Sequence, residues 1–393
     1  MGISAAQGKR PVIAGLGITE MGKVYGKTTA QFGAQAVQLA AADAGIALSD
    51  IDGLMTASGV GGDLHLSLAV DLGLTDLKLL SEVQAFGATA GAMVQYASMA
   101  VASGLATTVA VVFADAPLRE GVSAGGAYGG GATVPSGWQG LSAVGGIASA
   151  TTMYALAARR HMDTYGTTSE QFGAIAVAQR QWAELNPLAQ MRAPMTLADH
   201  QASRYIADPL HLFDCCLVSN GAVAVIVTTE DRGAGMAQPN VHVLGFAQSH
   251  PGHYMRASED FGLVSGAAQS GPRALEMAGV ALSEIDVVEL YDCYTYTALI
   301  SLEDYGFCAK GEGGAFAESG ALGPQGSLKV NTGGGQLSSY YMWGMTPLSE
   351  AIIQARGQGG ERQVAKHDLV LVSGNGGVLD HHSTLVLGSE QTA

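Results

Sequence analysis

A nine-residue phrase of this chain recurs with seven positions identical. Ala44-Gly-Ile-Ala-Leu-Ser-Asp-Ile-Asp52 returns as Ala278-Gly-Val-Ala-Leu-Ser-Glu-Ile-Asp286. Each copy follows a helical pattern and precedes an apolar strand run. A corner repeated this closely points to internal duplication, with two βαβ-rich halves packed together. In the first half, Val12 to Ile18 reads as a buried strand. Thr28 to Ala44 reads as a helix with Phe32, Ala36, Leu39 and Ala40 on one face. In the second, the strand Val287 to Tyr291 follows the repeat. Leu80 to Gly104, then the strand Val109 to Ala114, has its counterpart in Val330 to Gly360, then Leu369 to Ser373. The halves read as 1–235 and 236–393, with Leu217 to Thr228 closing the first.

Asp115 to about Tyr205 has no counterpart and reads as an insertion. Its Gly-rich run, Ala124 to Gly131, lacks the Gly-Lys-Ser/Thr of a phosphate loop. Helical stretches follow at Ala148 to His161 and at Ser169 to Glu184, the second ended by Asn186-Pro187.

The chain has 393 residues, 48% apolar and 13% charged, enough for two fused cores. A net charge of −15 argues against nucleic acid as a partner. No run of 18 apolar residues has the uninterrupted character of a bilayer span, so none is expected. Met1 to Arg10 has no apolar core of a signal peptide. Cys215, Cys216, Cys293 and Cys308 form no CxxC pair and no disulfide framework, which fits a cytoplasmic setting. The histidine pairs His250/His253 and His381/His382 lack metal-ligand company and read as exposed or capping; no metal is expected.

The stretch richest in chemistry is Asn331-Thr-Gly-Gly-Gly-Gln-Leu-Ser-Ser-Tyr-Tyr-Met-Trp-Gly-Met-Thr-Pro347. Glycines permit close backbone approach, and aromatics stand where a surface loop carries small polar residues. Pro347 sits at the start of an apolar helix, where proline is tolerated. The stretch resembles the thiolase superfamily motif Asn-x-x-Gly-Gly followed by Gly-His-Pro-x-Gly-x-Thr-Gly. Asn331, Gly334-Gly335, Gly344 and Thr346 match, and Tyr341 falls on the family's histidine. Tyr291-Asp-Cys-Tyr294 resembles the His-Asp-Cys-Phe of the sterol-carrier-protein type. Asp214-Cys-Cys-Leu-Val-Ser-Asn-Gly-Ala222 resembles the Ser-Asp-Gly-Ala-Ala strand. Ser373-Gly-Asn-Gly-Gly377 sits where thiolases carry Cys-x-Gly-x-Gly. The resemblance implies an α/β fold: a duplicated five-layer α-β-α-β-α sandwich with an inserted loop domain over the CoA and acyl pocket.

A thiolase acts through a cysteine whose pKa a helix N-terminus lowers. Here that cysteine falls on Ala85 or Phe86, and no cysteine precedes Cys215. The acyl-enzyme of thiolysis therefore cannot form. The cysteine of Cys-x-Gly-x-Gly falls on Val372 or Gly374. What survives is a backbone suited to a thioester oxyanion at Gly374 and Gly376, with Asn331 as a further binding residue. Retro-aldol cleavage of a β-hydroxyacyl-CoA needs such an enolate site but no acyl-enzyme. The resemblance implies a cysteine-less aldolase of steroid side-chain degradation, with Tyr294 and Tyr341 handling protons. Cys293 is the weaker candidate. Asp292 is a candidate orienter, and Tyr340 an alternative if the register shifts by one. Arg180, Arg192 and Arg204 read as surface charges or as contacts for CoA phosphates.

Two other readings stay open. One is a non-catalytic acyl-CoA or lipid-binding protein; the other is an acyltransferase using Cys293. No cofactor is expected beyond the CoA of the substrate. The resemblance also implies a homodimer through an edge strand near Leu105 to Ala114. It further implies a small zinc-ribbon/OB-fold (DUF35) partner forming a heterotetramer.

Overall fold

The structure, a computed structural model, describes residues 9–59, 64–127, 140, 144–147, 149–251 and 258–392. Residues 1–8, the second half of the Gly-rich run (128–131), Ala148 and His253 lie outside them.

The corners that repeat in sequence repeat in space. Helix α1 (Thr29–Ala44) ends at Gly45, whose φ of 72° is the left-handed cap that glycine adopts without a Cβ clash. A turn at Leu48–Asp50 leads into strand β2 (Gly53–Ser58). A second helix (Ala267–Ala278) likewise ends at Gly279, φ 71°, and its turn Leu282–Glu284 leads into a strand at Val287–Glu289. Each turn is closed by its own acid. Asp50 Oδ2 accepts from the Ala47 N–H at 2.9 Å, and Glu284 Oε2 from the Ala281 N–H at 2.7 Å.

The strands complete the symmetry. The first half contributes β1 (Pro11–Ile18), β2, β3 (Leu79–Glu82), β4 (Thr108–Asp115) and β5 (Gly221–Thr229). The second contributes β6 (Val241–Ser249), β7 (Val287–Glu289), β8 (Lys329–Val330), β9 (Leu369–Gly376) and β10 (His381–Gly388). Their order is β3-β2-β4-β5-β1 and then β6-β10-β9-β7-β8, the same sequence read outward from a central seam. At that seam β1 and β6 pair antiparallel over Val12↔His242 and Ile13↔Val241, so one ladder runs through both sheets.

The helices make the layers. Helix α1 covers β1, β5 and β4 on one outside. Helix α2 (Thr89–Ser103) touches β4 and β5 of one sheet and β9, β10 and β6 of the other. In the insertion lie α3 (Ala150–Tyr165) and α4 (Ser169–Glu184). The helix Ala267–Ala278, α5, covers β6 and β10, with α6 (Thr295–Tyr305) beside it. Helix α7 (Met345–Ala355) shares the middle layer with α2. The five layers are thus α1, sheet, α2 with α7, sheet, and α5 with α6. Ten residues of α2, many of them Ala or Gly, are buried, as a helix between two sheets requires.

Two sequence expectations are corrected. Leu39 is 39% exposed, and Val37 takes its place in the core, because the buried stripe of α1 runs through Phe32, Ala36, Val37, Ala40 and Ala41. The segment Leu105 to Ala114 offers no edge for a dimer. Its strand β4 is hydrogen-bonded to β2 on one side and β5 on the other. The edge of the first half is β3.

The insertion leaves the first half and packs on the second, where α4 lies against α6. Trp182 Nε1 donates to Leu322 O at 3.0 Å, and His161 Nε2 meets Glu303 Oε2 at 3.1 Å with both side chains fully buried. Among the described residues, no helix is long and apolar enough to cross a membrane.

Candidate active site

The middle-layer helices begin with the same local structure. Before α2 stand Ala85-Phe-Gly-Ala-Thr89, and before α7 stand Met342-Trp-Gly-Met-Thr346. The aromatic residue of each turn has a positive φ, 51° at Phe86 and 47° at Trp343. For a bulky residue that costs on the order of 1 kcal/mol and signals a held conformation. Each turn is locked by its threonine. Thr89 Oγ1 accepts from the Ala85 N–H at 2.8 Å, and Thr346 Oγ1 from the Met342 N–H at 3.0 Å. The turns face one another. A Cβ on Gly344 would lie 2.5 Å from Gly87 O, and the Phe86 and Trp343 rings are 5.8 Å apart.

The phenol of Tyr341, just before the second turn, lies 3.1 Å from that of Tyr291. The Tyr291 ring rests on the first turn: a Cβ on Gly87 would come within 2.2 Å of its Cζ. Two hydrogen-bonded phenols thus sit over the N-terminus of α2, where thiolases place their thiol. In the sequence Tyr291 stands out only as a member of Tyr291-Asp-Cys-Tyr294. The signal for its role was its place in Tyr-Asp-Cys-Tyr, where the related motif has histidine.

Tyr294 points toward the insertion. Its hydroxyl lies 2.8 Å from Thr151 Oγ1, and its ring packs on Tyr154 at 4.8 Å. Burial, then the nearby Cys216 and Cys293, hold its pKa well above that of a free phenol. It is a proton donor rather than a phenolate. Cys293 is buried, and its pKa is pushed up to about 12 by desolvation, against hydrogen bonds from Thr297 and Tyr154. At neutral pH it is a thiol, unsuited to nucleophilic attack.

Asp292 joins the two motifs. Fully buried, it accepts from the Gln336 N–H at 2.9 Å and the Leu337 N–H at 3.3 Å, holding the wide helical turn Gly335–Ser339 that leads to Tyr341. Desolvation raises its pKa to about 7, opposed by those N–H donors. Ser219, in the third motif, accepts from the Tyr341 N–H at 3.0 Å. Cys216 N–H donates to Cys293 O at 3.0 Å. Arg180 is not a surface charge: it is buried, and its Nε donates to Ser338 Oγ at 3.0 Å. Arg204 is exposed, and Arg192 NH2 donates to Glu184 O at 3.1 Å. The Tyr340 hydroxyl is turned away to Ser349 Oγ at 2.6 Å.

Gly374 and Gly376 lie on β9 beyond the end of β7, backed against the first turn. A Cβ on Gly376 would meet Ala85 O at 2.3 Å, and one on Gly374 would meet Gly87 O at 2.7 Å. Their missing side chains therefore let the turn seat on the strand. Asn331 is fully buried, and its Oδ1 accepts from the Leu290 N–H at 2.6 Å, tying the loop to the strand that delivers Tyr291. His382 is neither exposed nor a cap. Its Nε2 lies 3.0 Å from Ser373 Oγ and 3.1 Å from the Tyr305 hydroxyl, and burial lowers its pKa to about 3. His250 and His381 meet at 3.0 Å through their Nδ1 atoms. Among the described residues, no three metal-ligating side chains converge.

The family model described as "Thiolase C-terminal domain-like" matches residues 247–389. A "Steroid side-chain-cleaving aldolase" of Thermomonospora curvata is 37% identical, over 96% of this chain and 98% of that protein. A "17-hydroxy-3-oxo-4-pregnene-20-carboxyl-CoA lyase" of Mycobacterium tuberculosis is 35% identical, also over 96% and 98%. Among solved structures, the "Ltp2-ChsH2(DUF35) aldolase" superposes with a TM-score of 0.87 at 35% identity, covering 98% of this chain and 99% of that one. A monomeric SCP2-thiolase-like protein from Mycobacterium smegmatis shares the fold at a TM-score of 0.74 and 17% identity, over 98% of this chain and 78% of that one.

Proposed function

The chain belongs to the thiolase-like family that holds the steroid side-chain-cleaving aldolases, and from that premise we propose that it is a carbon–carbon lyase. It cleaves a β-hydroxyacyl-CoA, a steroid side-chain thioester, by retro-aldol chemistry, releasing a ketone or aldehyde and a shorter acyl-CoA. The observation that carries the reading is the Tyr291–Tyr341 phenol pair at 3.1 Å over a helix start that holds no cysteine.

In the reaction the phenol pair relays the β-hydroxyl proton, one phenol oxygen taking it as the pair passes its own proton on toward Cα. The Cα–Cβ bond breaks, its electrons pass into the thioester enolate, and the β-carbon becomes a carbonyl. Backbone N–H groups around Gly374 and Gly376 hold the enolate oxygen. A phenol then protonates Cα, and Tyr294, held as a donor, is the second candidate for that step. The proton lost from oxygen equals the proton gained by carbon, so the cleavage is redox-neutral. CoA is needed only as part of the substrate. Asn331 serves by positioning Tyr291.

We assign a DUF35 protein as the partner of this chain, on the likeness to the Ltp2-ChsH2(DUF35) assembly. A homodimer would form through β3, the exposed edge of the first half. The site of action is cytoplasmic.

The test is to incubate the purified chain, with and without its DUF35 partner, with a β-hydroxyacyl-CoA and to measure released ketone. Tyr341→Phe and Tyr291→Phe each remove one oxygen, so the fold persists while cleavage falls about 10²- to 10⁴-fold. Wild-type rates in both variants would remove the phenol pair from the mechanism, and no ketone released by the wild-type chain with its partner would leave acyl-CoA binding without catalysis as the better reading.

A further inference from the structure

We infer that the ring of Phe86 is the surface against which the alicyclic ring at the substrate's β-carbon packs. The inference rests on the lyase reading for its substrate and on separate geometry for its place.

Phe86 is 44% exposed although it is a large aromatic in a strained conformation. Glycine would adopt that backbone without cost, and an exposed phenyl gains little from packing to offset the strain. The ring is nonetheless held in place. Trp343 stands 5.8 Å away, and His381 lies nearly parallel at 6.2 Å and 16°. Trp343 is itself buried and packs on Phe113 at 5.0 Å, so it supports the platform from behind.

The platform stands at the reacting centre. A Cβ on Gly376 would lie 2.8 Å from Phe86 Cβ, which places the residue against the oxyanion strand. Gly87, its neighbour, carries the Tyr291 ring. Phe86 is therefore bracketed by the groups that hold the thioester oxygen and those that take the hydroxyl proton. The β-carbon lies between these two functions, so its substituent falls on the aromatic exposed between them. A π-face suits the C–H surface of an alicyclic ring and offers nothing to the phosphates of CoA.

The test measures binding, not turnover. The probes are a steroid-20-carboxyl-CoA thioester lacking the 17-hydroxyl, which cannot be cleaved, and butyryl-CoA. Calorimetric Kd values are compared for the wild-type chain with its DUF35 partner, Phe86→Leu and Phe86→Gly. Phe86→Gly should weaken the steroid thioester about tenfold and butyryl-CoA less than about twofold, with Phe86→Leu between. Unchanged steroid binding, or an equal loss for both thioesters, overturns the inference. Thermal unfolding of each variant separates these outcomes from misfolding. If wild-type protein discriminates the two thioesters through Phe86 yet cleaves no β-hydroxyacyl-CoA, the lyase reading fails and the platform stands.

Discussion

The turns before α2 and α7 share a backbone and differ in everything they present. Both carry an aromatic at positive φ, a glycine and a locking threonine. The second is buried, with Trp343 at 4% exposure, and follows Tyr341. The first carries Phe86 in the open and follows Gln84, whose Oε1 accepts from the Phe86 N–H at 3.2 Å. Duplication thus supplied one strained device twice. One copy became a rigid mount for a phenol, and the other, without a nucleophile, became a wall of the site.

The largest test of that contrast is Trp343→Gly. Losing a buried indole costs about 3–5 kcal/mol, and relief of the positive φ returns about 1, so urea unfolding should show a net loss of roughly 2–4 kcal/mol. A loss under about 1 kcal/mol would mean that the second turn is no better packed than the first.

Asp292→Asn probes the clamp behind the second turn. Its folded pKa of about 7 is raised from 3.8 by burial. The stability this carboxyl contributes is fully present below about pH 4 and lost as pH rises through about 7. The stability of wild type relative to Asp292→Asn should therefore fall by roughly 1–4 kcal/mol between about pH 4 and about pH 8 in denaturant titrations. A flat difference would show that the clamp does not titrate in the folded protein.

Thr346→Val and Thr89→Val delete equivalent locks and should each cost about 1 kcal/mol. Only Thr346→Val should also slow cleavage, by about tenfold, because Thr346 Oγ1 also bonds Tyr340 O at 3.1 Å beside Tyr341. Equal rate losses would erase the division of labour. The smallest effect belongs to Phe86→Gly, where strain relief offsets a half-exposed ring and stability should move by less than about 1 kcal/mol. A large loss there would make Phe86 a core residue after all.

Much of this is legible in the sequence. The repeated corner sets the order of strands in both halves, because a helix, a left-handed glycine and an acid-closed turn leave the chain little choice. Aromatic-Gly-x-Thr stands twice in plain view, at Phe86 and Trp343, inside the two segments that the repeat already pairs, Leu80 to Gly104 and Val330 to Gly360. The phenol partner of Tyr341 was not legible. Tyr291 and Tyr294 have like chemistry three residues apart, and only the direction in which α6 begins sends one to Gly87 and the other to Thr151. Nor could charge alone show that Arg180 is buried on Ser338. The solvent cost of its guanidinium is met by acceptors distant in sequence, Ala193 O among them at 3.0 Å.

The excursion between β4 and β5 has a consequence for biosynthesis. Its helices belong to the first half by chain order but find their partners in the second, through Trp182 on Leu322, His161 on Glu303 and Asn186 on Gly333. A ribosome releases Trp182 well before Leu322, the partner of its indole, exists. The nascent first half therefore waits with an apolar face uncovered until residues near 340 emerge, the interval in which holdase chaperones act and aggregation begins.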